Sequence, residues 1–266
     1  MATRDSKAPD LQRSLTLLWA GRSPGRRGPR PQLTVERIAH AAILIADADG
    51  LEALSMQRIA TELGYSTMSL YNHIPSKDLL LEVTADIAAG KPPEFDGSEL
   101  EKADFRHAVR HWVGALWAGF RTHPWMLRLP LDHTPIGPNQ LAWLDSLLQP
   151  LLKAGLPAVE ARAAALHLTA VVRGTAQISL DMTSAHKTDD GRPQNETELA
   201  QALTELIDPR EYPALAAVQA AESAAGPRKP EPDGQVLPAE LGFGVDRFLD
   251  GITAWVAAEA HRAGDN

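Results

Sequence analysis

Within positions 66–77 the residues able to do chemistry are Thr67, Ser69, Tyr71, Asn72, His73 and Lys77, a set of hydrogen-bonding groups with one fixed cation. Such groups suit recognition rather than bond-breaking. Thr67, Ser69, Asn72 and His73 are small or hydrogen-bonding, whereas Leu70 and Ile74, four residues apart, supply an apolar anchor. A short helix anchored on one side and polar on the other is what a DNA major groove accepts. Base edges there are read by donors and acceptors, and the thymine methyl by apolar contact. Tyr71, His73 and Lys77 are long enough to reach phosphate, and Lys77 opens a helix whose N–H groups and dipole already favour an anion. The competing reading, an ordinary helical hairpin whose Ser and Thr are only caps, leaves the polar face unexplained.

Short helices must position these residues. Thr34 is placed to cap a first helix over about 35–48, with Val35, Ile38, Ala42 and Ile45 at helical spacing before Gly50. Ser55 caps a second, where Met56, Ile59, Ala60 and Leu63 form one apolar face and Gly64 follows at a position that favours positive φ. A third helix of about seven residues, Thr67 to His73, is stopped by Pro75. Ser76 caps a fourth, Lys77 to about Ala89, with Leu79, Leu80, Val83 and Ile87 inward and Asp78 in its first turn. A capped eight-residue helix, a glycine turn and a short second helix make a helix-turn-helix.

Residues 1–32 are expected to form a flexible basic arm. Gly and Pro dominate its centre, and between positions 22 and 37 five arginines face the single acid Glu36. Leu15, Leu17, Leu18 and Trp19 interrupt the arm with an apolar cluster that either docks or forms a short helix. After Lys91-Pro-Pro the pattern is of long helices without strand-like alternation. The expected apolar stripes are Phe105, Val109, Trp112 and Leu116; Leu141, Leu144, Leu148 and Leu151; Leu166, Ala170 and Ile178; and Leu241, Phe248, Ile252 and Trp255. Pro124 can open a short helix, 182–196 is expected to be a long polar loop, 197–223 one or two weaker helices, and 226–234 a disordered connection.

Composition bounds the rest. The 266 residues allow one large or two small domains, and 44% hydrophobic with 23% charged residues is ordinary for a soluble globular chain. The absence of cysteine excludes disulfides, thiolate metal sites and a cysteine nucleophile. No apolar run approaches the ~20 residues of a membrane-spanning helix, and the opening residues are too polar for a signal peptide, so a cytoplasmic protein without membrane contact is expected. Residues 1–90 hold ten basic and ten acidic residues, so the net charge of −8 belongs to residues 91–266. This balance argues against non-specific nucleic-acid binding through the whole surface, but it leaves a focused contact at one end.

The run from Leu33 to Ala42, followed by Gly50 to Leu80, resembles the DNA-binding domain of the tetracycline-repressor (TetR) family. The resemblance covers about residues 33–90 and combines the helix lengths, Gly64, the Leu70-Tyr71 pair, His73 and Lys77 after a short turn. It implies an all-α protein: an N-terminal three-helix helix-turn-helix domain over 33–90, and a C-terminal helical bundle over 91–266 for dimerisation and ligand binding. It also implies a homodimeric repressor on a palindromic double-stranded operator, released by a small molecule. By position, Ser55 contacts phosphate and Gln57 phosphate or a base. Thr67, Met68, Ser69 and Asn72 are the base readers, with Asn72 able to pair bidentately with adenine, and Tyr71, His73 and Lys77 are the phosphate clamps. The long lead departs from the family pattern; Arg26, Arg27 and Arg30 can enter a minor groove or serve only solubility.

For the effector, Trp112, Trp117, Phe120, Trp125, Met126 and Trp143 either line a cavity between bundle helices or simply fill the core. Arg173 and Gln177, joined by His167, either bond within the bundle or await a polar ligand group. Asp104, His107 and His111 lie at metal-compatible spacing, but a solvated helix face explains them better, and no metal or cofactor is expected. No nucleophile elbow, phosphate-binding glycine loop or paired-carboxylate strand end is present, so an enzyme is not expected. Dimerisation is expected on about 158–181 and 238–261, where alanines and Gly251 permit close helix approach. The alternative function is a helical protein-interaction module that does not bind DNA.

Overall fold

The computed structural model describes residues 11–19, 33–94, 105–130, 136–185, 206–225 and 237–264. Among these, every regular element is helical: α1 Leu11–Trp19, α2 Val35–Asp49, α3 Met56–Leu63, α4 Thr67–Tyr71, α5 Lys77–Ala89, α6 Phe105–Thr122, α7 Pro138–Lys153, α8 Ala158–Ala185, α9 Pro213–Ala225 and α10 Ala239–Gly264. Short 3-10 turns cover Leu51–Ala53 and Pro124–Arg128. The chain forms two compact units, Met1–Ala176 with Leu237–Asn266, and Gln177–Val236. Among the described residues no helix is long and apolar enough to cross a membrane.

Local signals fix the N-terminal helices. The hydroxyls of Thr34, Ser55, Ser66 and Ser76 accept from the backbone N–H of Arg37, Arg58, Ser69 and Leu79, as N-caps do. Gly64 ends α3 with φ of 74°, in the left-handed region where a side chain is strained. The apolar faces then meet in one core containing Ile38, Ala42, Ile45, Ile59, Leu70, Ile74, Leu80 and Val83. The third helix is shorter than its expected seven residues. Regular α4 ends at Tyr71, and the chain turns through Asn72 and His73 with Ile74 N–H still bonded to the Leu70 carbonyl.

For the apolar cluster of the arm the two expected alternatives occur together: it forms the short helix α1, and that helix docks. Leu17 and Leu18 pack against the helix-turn-helix core. The arginine-rich stretch 20–32 lies outside the described residues, as do Asp104 and the segments 186–205 and 226–236.

In the bundle, Val109 and Trp112 are buried and Phe105 and Leu116 half-buried, as expected. Two stripes face otherwise. On α7 the inward residues are Ser146, Leu147, Pro150 and Leu151, while Leu141 and Leu144 are exposed. On α8 the core side is Ala161, Ala164, Ala165, Leu168, Val172 and Ala176, whereas Leu166 and Ile178 are 70% and 62% exposed and Ala170 is exposed as well. Helix α8 is apolar on two sides, and the side rich in small residues is the one that is buried. It also runs on to Ala185, so the expected loop after 181 begins later.

Candidate nucleic-acid interface and effector region

Helix α4 is held from below by Leu70 and Ile74, both fully buried, and presents the rest of its surface outward. Met68 is 69% exposed and Tyr71 43%. Asn72, Ser55, Gln57 and Lys77 are exposed, and Thr67, Ser69 and His73 half-buried. An exposed methionine beside a fully buried leucine shows that packing has chosen which apolar residue serves the core and which is left on the surface. The sequence-predicted DNA residues of α3, α4 and the start of α5 thus lie at the surface of one domain, in which α3 packs against α4.

Local bonds preset several of them. The Ser66 and Ser69 hydroxyls are 2.9 Å apart, tying the first turn of α4. His73 Nδ1 lies 3.0 Å from the Ser69 carbonyl oxygen. A carbonyl only accepts, so Nδ1 donates and Nε2 is the ring nitrogen that faces elsewhere. Arg37 stacks over the Tyr65 ring at 6.0 Å, and Arg58 pairs with Asp49. These two arginines therefore brace α2 against α3 and the turn after it. Arg26, Arg27 and Arg30 lie outside the described residues.

Three ties join the helix-turn-helix domain to the bundle, none of them anticipated from sequence. Asp86, 2% exposed near the end of α5, accepts from the backbone N–H of Asn139 and Gln140, each at 3.0 Å, and so caps α7. Asn139 Nδ2 donates back to the Asp86 carbonyl at 2.9 Å. Gly137 sits so close that an added Cβ would fall 2.1 Å from Asp86 Oδ1. Next, Trp143 Nε1 donates to the carbonyls of Ala89 and Gly90, covering the end of α5. Finally, Asp47 on α2 accepts from Trp125 Nε1 at 2.7 Å and from His123 Nδ1 at 2.8 Å. A signal for Asp86 was available: an acid three residues after Val83 falls on the buried side of α5. Asp47, an acid at a helix C-terminus where the dipole disfavours it, also calls for a partner.

The candidate effector residues do not form one set. Trp112, Trp117, Phe120 and Trp125 are buried, and Trp112 meets Trp143 edge-on with ring centroids 5.6 Å apart. Arg173 donates to the carbonyls of Met126, Leu127 and Leu129 and lies 5.9 Å from the Phe120 ring. Of the two alternatives for this arginine, the bond within the bundle is the one realised. Burial lowers its pKa from the ordinary guanidinium value. Gln177 is bonded to Asp181 one turn along the same helix. His167 is separate: it is exposed, stacks 4.6 Å from Phe248, and borders an open groove of about 570 Å³ between α8 and α10. Among the described residues no cluster of His, Asp or Glu is arranged to hold a metal.

Comparisons with known proteins place this architecture. Residues 38–84 match the bacterial regulatory proteins of the tetR family, and residues 98–228 the tetracyclin repressor-like C-terminal domain. The HTH-type transcriptional repressor DrrR1 of Streptomyces coeruleorubidus is 34% identical over 259 residues, spanning 96% of this chain and 90% of that protein. An HTH-type transcriptional regulator of Saccharopolyspora erythraea is 30% identical over 192 residues, spanning 70% of this chain and 75% of that protein. Among solved structures, Streptomyces coelicolor ActR in complex with actinorhodin matches with a TM-score of 0.63 at 26% identity, covering 85% of this chain and 99% of that one. The first two of these are named as a transcriptional repressor and a transcriptional regulator. With its capped helix-turn-helix and helical C-terminal domain, the chain belongs to the tetR family of bacterial regulatory proteins and is a DNA-binding transcriptional regulator.

Proposed function

We propose that the protein is a homodimeric repressor that grips a palindromic operator through α4 and releases it when a small organic molecule enters the bundle. The observation that carries this reading is the face of α4, where Met68 and Tyr71 stand out while Leu70 and Ile74 anchor the helix. In this reading Thr67, Met68, Ser69 and Asn72 read bases; Ser55, Tyr71, His73 and Lys77 hold phosphates; and Gln57 reaches either. Since Nδ1 of His73 is engaged, its phosphate contact uses Nε2 and requires the doubly protonated ring. Arg26, Arg27 and Arg30 extend the contact into a minor groove.

Support for the dimer comes from α8 and α10. Val159, Leu166 and Phe243 are each about two-thirds exposed or more, and Ala163 and Ala170 continue the α8 stripe, an apolar surface suited to a second copy. Support for an effector comes from ActR, whose solved complexes hold (S)-DNPA and actinorhodin. Trp112, Trp117, Phe120, Trp125, Met126 and Trp143 are the aromatic and soft side chains available to such a ligand, with Arg173 and Gln177 as polar groups that would exchange their present partners. His167 belongs instead to the groove beside α10. The protein acts in the cytoplasm on this reading.

The test is selection from random duplex DNA with purified protein at about 150 mM salt, where screening is strong. Enrichment of a palindrome is the expected result. Failure to enrich any sequence, with the protein folded, favours the protein-interaction module.

A further inference from the structure

Helix α1 precedes residues 38–84, the part matched by the tetR family's DNA-binding domain, and so lies outside that domain's own pattern. It has nine residues, and isolated helices shorter than about 12–15 are marginal in water, so α1 owes its form to what it touches. Leu17 and Leu18 lie against the buried core of the helix-turn-helix domain, and α1 packs along α5. At its end, Trp19 Nε1 donates to the Ile136 carbonyl at 3.1 Å, 117 positions away in the chain.

The anchor has a particular place. Ile136 immediately precedes Gly137 and the start of α7, the turn that Asp86 caps from α5. One short helix therefore lies along α5, sets its leucines on the core and reaches the approach to α7 with its tryptophan. Any turn of α5 against α7 must break the Trp19–Ile136 bond or lift Leu17 and Leu18 from the core. Either event removes part of what keeps α1 helical, so loosening of α1 from its seat and fraying of the helix go together.

We propose that α1 is a strap that fixes the angle between the helix-turn-helix domain and the bundle. The Asp86 cap and Trp143 form the seam itself; α1 closes over it from outside and narrows the range of orientations the reading heads adopt before DNA arrives. A pre-organised orientation loses less freedom on binding. This goes beyond the proposed operator and effector and concerns the protein by itself.

The absence of cysteine makes the test direct, because two introduced thiols are the only ones. Full-length protein carrying Glu62→Cys on α3 and Gln149→Cys on α7, both exposed positions, is spin-labelled and mixed with an excess of unlabelled chain. Distances are then read by pulsed electron resonance. The intact protein is expected to give a single narrow peak, and Leu17→Ser with Leu18→Ser and Trp19→Ala to lose it to a broad distribution, while circular dichroism retains the other helices. The strap is overturned if the folded triple variant keeps the narrow peak. If the triple variant does not fold, Trp19→Phe decides, since it removes only the donor and keeps apolar bulk: a broadened peak supports the strap, and an unchanged one overturns it. No DNA is present, so this outcome stands apart from that of the operator selection.

Discussion

Asp86 and Asn139 hold each other twice: the backbone N–H of Asn139 donates to the Asp86 carboxylate at 3.0 Å, and its Nδ2 donates to the Asp86 carbonyl at 2.9 Å. One residue lies on the last helix of the DNA-binding domain and the other on the first turn of a bundle helix. The pair therefore transmits any displacement of α7 to α5, since a helix cap tolerates little change in distance before it is lost. Replacing Asp86 by Ala takes the acceptor from two half-buried N–H groups. It is expected to lower stability by about 1–3 kcal/mol in urea unfolding, with Asp86→Asn, which keeps an acceptor, losing less.

Gly137 probes the same seam by steric means. Its missing Cβ is what allows Asp86 to approach, so Gly137→Ala alone is expected to lower the midpoint of unfolding. In Asp86→Ala the carboxylate is gone and only the Cβ remains, 2.8 Å from the added one, so the obstruction is smaller. Adding Gly137→Ala to Asp86→Ala is then expected to cost less than adding it to the unaltered protein, a departure from additivity that a double-mutant cycle measures.

At the DNA face, phosphate and base contacts separate by their response to salt and sequence. Lys77→Ala is expected to weaken operator binding for all sequences and to reduce the slope of log affinity against log salt by about one. Asn72→Ala is expected to leave the slope and relax preference at one position of each half-site. Titrations of the selected operator at several salt concentrations distinguish the two.

Arg173 satisfies the carbonyls of Met126, Leu127 and Leu129, the strand of chain that also carries Trp125 to Asp47. Arg173→Ala is expected to cost about 1–3 kcal/mol by taking this donor from the Leu127 and Leu129 carbonyls, while Met126 keeps the Leu129 N–H. Arg173→Lys is expected to recover only part, because a single ammonium lacks the planar fork of donors. Thermal and urea unfolding of the two variants check this.

The proposed dimer uses the outer side of α8. Leu166→Glu is expected to halve the mass seen by light scattering at micromolar concentration while leaving the helical signal intact, since Leu166 contributes nothing to the core of its own chain.

What could be read from the sequence was what neighbouring residues decide. The caps at Thr34, Ser55 and Ser76, the turn at Gly64 and the buried Leu70–Ile74 pair each depend on chemistry within a few positions, and each stands where it was expected. Partners far apart in the chain were not legible. Trp125 gave the signal of a core or cavity aromatic, but its indole is committed to Asp47, 78 positions earlier. Helix α8 failed for another reason: it carries an alanine-rich side and a leucine-bearing side, and periodicity counts both as apolar without saying which faces inward. Its exposed Leu166 shows that the larger side chain is not always the one the core takes.

The docking of α1 gives weight to its covalent link with α2. Trp19 is bonded to Ile136 and Leu33 is buried at the foot of α2, with thirteen positions of sequence between them. Cutting the chain between those two residues turns the seating of α1 from an intramolecular contact into a bimolecular one, so a nine-residue helix is then held only as tightly as its own concentration allows.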